Sequence, residues 1–100
     1  MIAFESPRLI ADIGGLYARF AIETSYGEFA QQRSLRCADF PSFEAAMAAY
    51  LASLKSAPVA HAALAIANPV DGDQVRMTNY HWQFSIEETR VNLGLDTLVV

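Results

Sequence analysis

An apolar run, Arg8 to Ile13, and an alternating stretch, Tyr17 to Glu23, are separated only by Gly14-Gly15 and one further residue. A link that short forces two strands to lie side by side in opposite directions, because a parallel return needs a crossover of a dozen residues or more. Gly14-Gly15 is expected to make a two-residue turn with positive φ, which glycine adopts without steric cost. Ser25-Tyr26-Gly27 repeats the signal, and Phe29 to Arg36 follows as a third strand. The chain therefore opens as an antiparallel meander.

A change of period comes next. Phe43, Ala46, Met47, Tyr50, Leu51 and Leu54 recur at helical spacing and form one apolar stripe. Ser42 stands where it can cap the helix start, with Glu44 in the first turn. Lys55 suits the negative end, and Pro58 is a stop. His61 to Ala67 reads as a buried fourth strand. Asn68-Pro69 and Asp71-Gly72 are turn dipeptides, and Gln74 to Thr78 suits one strand of a small hairpin. Ser85 to Glu88 matches a capping box. The short helix it starts, Ile86 to about Leu93, is expected to end at Gly94. Thr97 to Val100 begins a fifth strand. The expected order is β-β-β-α-β-α-β, an α/β fold with a mixed sheet and helices packed on it. The last residues, Leu98-Val99-Val100, are apolar, so the chain reads as part of a longer protein cut at its fifth strand.

Composition narrows the function classes. The 100 residues are 53% hydrophobic and 18% charged, with a net charge of -4. That is a globular balance, not a disordered one. The seven basic residues are scattered, which argues against nucleic acid as a direct partner of this segment. Cys37 is the only cysteine, so no intrachain disulfide forms, as in a reducing compartment. Met1 to Pro7 lacks the pattern of a signal peptide. The most apolar segment, Ala57 to Ala67, is too short to span a bilayer and is interrupted by Pro58 and His61. A cytoplasmic protein with no membrane partner is expected.

The chemistry concentrates at Asp12-Ile13-Gly14-Gly15. Phosphate binding needs backbone N–H groups reachable at close range, which glycine permits. A carboxylate beside them can hold magnesium, usually through water. A plain glycine hairpin, with Asp12 bonded to nearby N–H groups, accounts for the same four residues. Other polar residues read more simply. His61 is a strand histidine without a second ligand at metal spacing. His81, between Tyr80 and Trp82, is either a loop residue that titrates near neutral pH or a neighbour of substrate. Asp71 and Asp73 frame Gly72 as turn residues. Asn79 and Ser85 are able to bond a ligand, although Ser85 already serves as a cap. Trp82 and Phe84 suit core or cleft wall, and Cys37 suits a small buried hydrophobe.

Leu9-Ile10-Ala11-Asp12-Ile13-Gly14-Gly15, followed by Ala18-Arg19-Phe20, resembles the phosphate-binding hairpin of bacterial glucokinases. Those enzymes belong to the actin, Hsp70 and hexokinase superfamily. A second segment also resembles them: Ala65-Ile66-Ala67-Asn68-Pro69-Val70, Gly72-Asp73, Val75, Met77-Thr78-Asn79, Trp82 and Phe84-Ser85-Ile86. Pro41-Ser42 and Asn92-Leu93-Gly94 fall at family positions too, so the likeness runs from Arg8 onward. It implies a ribonuclease-H-like, actin-like ATPase fold and the N-terminal small domain of a glucokinase. It also implies ATP-dependent phosphorylation of the glucose 6-hydroxyl, with Mg2+. Ala11, Asp12, Ile13, Gly14, Gly15 and Leu16 would bind the nucleotide phosphates, with Asp12 near the metal through water. Asn79 and His81 would border the sugar cleft. The family's aspartate base lies in an Asn-Asp-Phe-Thr segment that would follow Val100, so no catalytic residue is expected within these residues and the piece alone is expected to be inactive.

One departure falls inside the hairpin. The family has Gly-Gly-Thr-Asn where this chain has Gly14-Gly15-Leu16-Tyr17. Loss of a hydroxyl that bonds a charged phosphate costs about 1.5–3 kcal/mol. Two other readings accommodate the apolar pair. One is a non-catalytic module that self-associates into a homo-oligomer through apolar surface and open sheet edges. The other is a relative that has lost kinase function and kept a regulatory role.

Overall fold

The computed structural model describes residues 7–54, 59–66, 70–77 and 82–100. The three opening strands are β1 (Arg8–Ile13), β2 (Tyr17–Ser25) and β3 (Glu28–Arg36). They pair antiparallel in succession, Arg8 opposite Glu23 and Tyr17 opposite Arg36. A 3-10 turn at Cys37–Asp39 leads to helix α1 (Phe43–Ser53). Strand β4 (His61–Ile66) then returns on the other side of β1 and runs parallel to it. Further on, helix α2 (Ile86–Asn92) leads to the last strand, which pairs parallel to β4.

Three short strands lie between β4 and α2, and these were not all expected. They are β5 (Val70–Asp71), β6 (Gln74–Arg76) and β7 (Gln83–Ser85), and they form a separate antiparallel sheet. The expected order β-β-β-α-β-α-β thus omits this second sheet. The last strand of the chain is β8 (Thr97–Val99), and the main sheet has the order β3-β2-β1-β4-β8. Lys55, Pro58, Asn68, Pro69 and Thr78, all expected to mark ends or turns, lie outside the described residues.

Alternation along the strands decides which face is covered. Leu9, Ala11 and Ile13 of β1, Ala18, Phe20 and Ile22 of β2, and Ala62 and Leu64 of β4 are buried on one face. Helix α1 covers it with Phe43, Ala46, Met47 and Tyr50. Leu51 and Leu54 of the same stripe are half-buried at its margin. Phe20 stacks on Tyr50 at 4.9 Å between ring centroids, and Phe43 stacks on Phe84 of β7 at 4.7 Å. Trp82 meets Phe43 edge-on and donates its indole N–H to the Phe40 carbonyl at 3.2 Å. Aromatic pairs of this kind add about 0.5–1.5 kcal/mol each beyond the burial of their area. The small sheet is therefore pinned to α1 through one aromatic cluster.

The buried Tyr50 hydroxyl donates to the Gln31 carbonyl at 2.7 Å. Gln31 has φ of 54°, and it sits where the β2–β3 register shifts between Phe20 and Ile22. The extra residue makes a bulge that breaks the ladder locally. Tyr50 supplies a bond that the bulge would otherwise leave unmade.

Both helices start as their caps dictate. The Ser42 hydroxyl accepts from the Ala45 N–H at 3.1 Å, and the Ser85 hydroxyl accepts from the Glu88 N–H at 3.1 Å. Asp73 adds to the second cap. Its carboxylate accepts from the Glu87 N–H at 2.8 Å and from the Ser85 hydroxyl. Those two bonds, the hydroxyl first, hold the Asp73 carboxyl below its ordinary titration range. Helix α2 ends at Gly94, with φ of 68°. Leu95 N–H donates to Arg90 O at 3.0 Å and Gly94 N–H to Val91 O at 3.1 Å, the bond pair of a Schellman cap. Among the described residues no helix is long and apolar enough to cross a membrane.

Candidate functional site

The end of β1 and the start of β2 meet at an open corner. Ala11 and Ile13 point into the core, and their backbone lies between β2 on one side and β4 on the other. Asp12, between them, points out to the opposite face. Its cross-strand partner on that face is Arg19. Among the described residues neither is in an ion pair.

The turn differs from the expected one. The chain leaves the sheet at Ile13 and resumes at Tyr17, and the Gly14 N–H donates to the Tyr17 carbonyl at 2.9 Å. The bend is thus centred on Gly15-Leu16 rather than on Gly14-Gly15, and neither glycine has positive φ. A Cβ on Gly14 would stand 3.4 Å from the Tyr17 carbonyl oxygen, an ordinary contact distance. Gly15 and Leu16 make no backbone hydrogen bond through their N–H groups among the described residues. These are the open donors of the corner. The amides of Ala11 and Ile13 belong to strand pairing and that of Gly14 closes the turn.

Cys37 holds the corner from beneath. Its backbone N–H donates to the Leu16 carbonyl at 2.9 Å, and its thiol donates to the Gly14 carbonyl at 3.7 Å. Burial pushes the Cys37 thiol above its ordinary range. Above the corner, Leu16 is 76% exposed and Tyr17 44%. Asp12, Gly14, Gly15, Leu16, Tyr17 and Arg19 line a hollow of about 390 Å³. A second hollow of about 490 Å³ shares Asp12 and Arg19 with it and runs along the open sheet face to Gln32 and Arg33.

Reasoning from sequence missed two parts of this arrangement. Arg19 was named only within a motif, and a turn at Gly14-Gly15 would have put Tyr17 opposite Asp12; the bend at Gly15-Leu16 puts Arg19 there instead. Cys37 was read as a small hydrophobe, and nothing near it in sequence signals its contact with Gly14. Asn79 and His81 lie outside the described residues. His61 is half-buried, and its Nδ1 lies 2.8 Å from the Thr97 hydroxyl, a link between β4 and β8.

Residues 9–100 match the family model for glucokinase. The chain belongs to the glucokinase family. It is 57% identical over 96 residues to a protein of Burkholderia thailandensis named "Bifunctional protein glk", covering 96% of this chain and 15% of that protein. It is 53% identical over 94 residues to a glucokinase of Neisseria meningitidis serogroup C, covering 94% of this chain and 29% of that one. This member of the glucokinase family therefore spans less than a third of the length of these relatives. A crystal structure of glucokinase from an Antarctic psychrotroph superposes with a TM-score of 0.85 at 36% identity, over 94% of this chain and 31% of that one. A protein of Streptococcus pneumoniae from the ROK family, solved with sucrose, superposes with a TM-score of 0.66 at 18% identity, over 94% of this chain and 34% of that one, a likeness of fold alone.

Proposed function

We propose that this chain is the N-terminal small domain of a cytoplasmic glucokinase and the part that faces the nucleotide phosphates. The parent would transfer the terminal phosphoryl group of ATP to the 6-hydroxyl of glucose. The observation that carries the reading is the accessible corner, where the Gly15 and Leu16 N–H groups lie beside the Asp12 carboxylate. The sheet order, with three antiparallel strands and two parallel additions, is consistent with a ribonuclease-H-like fold.

The residues present fit a nucleotide phosphate with its metal. Two N–H donors without backbone partners suit an anion. A lone carboxylate suits Mg2+ held through water, which keeps several waters in place of an all-protein cage. When bound, ATP supplies the phosphoryl group and Mg2+ neutralises its charge. The corner's own part is to fix the phosphates by backbone N–H groups, which positions without doing covalent chemistry. Of the six residues expected to contact phosphate, Gly15 and Leu16 would bind through backbone N–H. Asp12 would act through the metal. Ala11, Ile13 and Gly14 would shape the corner. Leu16 lacks the family's threonine hydroxyl, so binding would be weak. Asn79 and His81 would border the sugar in the parent.

None of these residues matches the family segment that carries the aspartate base, so the chain alone would not phosphorylate glucose. An amide NMR titration with MgATP tests the phosphate role. Shifts at Gly15 and Leu16 are expected. Shifts confined to other surfaces would refute it.

A second reading, self-association into a homo-oligomer, draws on the exposed Leu16 and Tyr17 and on Val99 of the edge strand β8. Unpaired edges and apolar side chains invite pairing between copies. Sedimentation that stays monomeric at high concentration would exclude it.

A further inference from the structure

We propose that the bulge at Gln31 is a guard that keeps the outer edge of β3 from pairing with β3 of a second copy of this chain. The edge is long. Strand β3 ends the main sheet on the side away from β8, and it has nine residues where β8 has three. An edge strand presents unpaired N–H and C=O groups, on which another chain can extend the sheet. The hairpin end beside it adds apolar surface, with Tyr26 62% and Phe29 49% exposed.

A second copy is the strand this edge would take. Glu28 begins β3, whereas Arg33 and Arg36 lie toward its end. Antiparallel pairing of two copies sets the acidic end of each beside the basic end of the other. Opposite charges facing across strands stabilise such a pair.

One residue stands in the way. Phe20 pairs with Arg33 and Ile22 with Ala30, so Ala21 alone stands opposite both Gln31 and Gln32. The extra residue bends β3 and breaks the regular spacing of its edge groups. The other shift, between Glu23 and Ser25, puts its extra residue on β2 and leaves β3 continuous there.

Strain accompanies the bulge. Gln31 has φ of 54°, the one positive value outside glycine among the described residues. That left-handed conformation crowds the Cβ of any L-residue. Such strain persists only where neighbours impose it. The neighbour is Tyr50, whose hydroxyl donates to the Gln31 carbonyl at 2.7 Å. Tyr50 is buried and its ring stacks on Phe20, tasks that phenylalanine would perform as well. The hydroxyl therefore serves the bulge, and it occupies a carbonyl of the edge strand from within the chain. The proposal holds whether or not the glycine corner binds phosphate.

The test deletes Gln31 from the 100-residue chain. Every pair of the β2–β3 ladder keeps its partner, and Gln32 falls opposite Ala21. Sedimentation reads assembly, and amide hydrogen exchange by NMR locates it. The deletion should self-associate with a midpoint about tenfold or more below that of the original chain, the worth of one or two backbone bonds. Exchange of the β3 amides should slow only at concentrations where the pair forms. Gln31→Gly keeps the bulge and relieves the strain. It should raise Tm by about 2–6 °C and associate no more than the original. Gln31→Val keeps the length but opposes positive φ. It should shift the midpoint in the same direction as the deletion, and it decides the matter if the deletion does not fold. The proposal is overturned if the folded deletion, or the valine variant in its place, associates as the original does. It is also overturned if the slowed amides lie outside β3, or if Gln31→Gly associates as strongly as the deletion.

Discussion

The Cys37 thiol donates to the Gly14 carbonyl oxygen across 3.7 Å, and the same residue's N–H holds the Leu16 carbonyl. A corner that faces solvent is thus anchored by a residue from the far end of β3. Cys37→Ala removes the sulfur from a buried position, keeps the backbone bond, and should lower unfolding stability by about 1–2 kcal/mol in urea. Because burial raises the thiol's titration point, its folded value lies above its unfolded one. The stabilisation it carries is present below the unfolded value and lost as pH rises through the folded one. Alkaline denaturation should therefore narrow the gap between the original chain and the alanine variant, and a thiol reagent should react slowly until urea is added.

Tyr50→Phe keeps the ring stacked on Phe20 and deletes only the bond to the Gln31 carbonyl. The cost should be about 1–2 kcal/mol, since a carbonyl is left unsatisfied at a bulge. Urea unfolding measures it. An unchanged midpoint would mean that water replaces the hydroxyl.

Asp73 holds α2 through the Ser85 hydroxyl and the Glu87 N–H, and these bonds depress its carboxyl. A depressed carboxyl stabilises above its unfolded value and loses that contribution as pH falls through the folded value. Asp73→Ala should therefore lower Tm at neutral pH. The difference from the original chain should shrink below about pH 4, the ordinary aspartate range. Thermal scans across pH 2 to 7 in about one-unit steps would resolve this.

Leu16→Thr returns a hydroxyl to the corner. If phosphates bind there, affinity for MgATP should rise about ten- to a hundredfold, the worth of one hydrogen bond to a charged group. Calorimetry reads the change, and an unaltered affinity counts against the corner as a phosphate site.

Gly94 ends α2 with φ of 68°, and a Cβ added there would meet nothing within 4 Å. Gly94→Ala should still cost about 1 kcal/mol, entirely from backbone strain. The same urea series detects it.

The parts of this architecture visible in the sequence are those set by near neighbours. The meander follows from short links, the α1 stripe from spacing, and both caps from Ser42 and Ser85. Strands of two or three residues such as β5 and β7 carry no usable periodicity, so of the second sheet only the strand at Gln74 was expected, as part of a small hairpin. The corner was found, but its bend was misplaced by one residue. A glycine pair advertises positive φ, whereas here neither Gly14 nor Gly15 adopts it. The Cys37 anchor is a product of distant elements meeting, and no local pattern encodes it.

Strand β1 has two unlike neighbours: β2 follows it directly, whereas β4 reaches it only after α1. Adjacent hairpins close in microseconds, while pairings distant along the chain wait on a larger loss of freedom. Assembly accordingly has a direction. A chain emerging from the ribosome completes the side toward β3 at once and the side toward β8 last. The glycine corner is thus shaped early, while its anchor at Cys37 arrives with the end of the third strand.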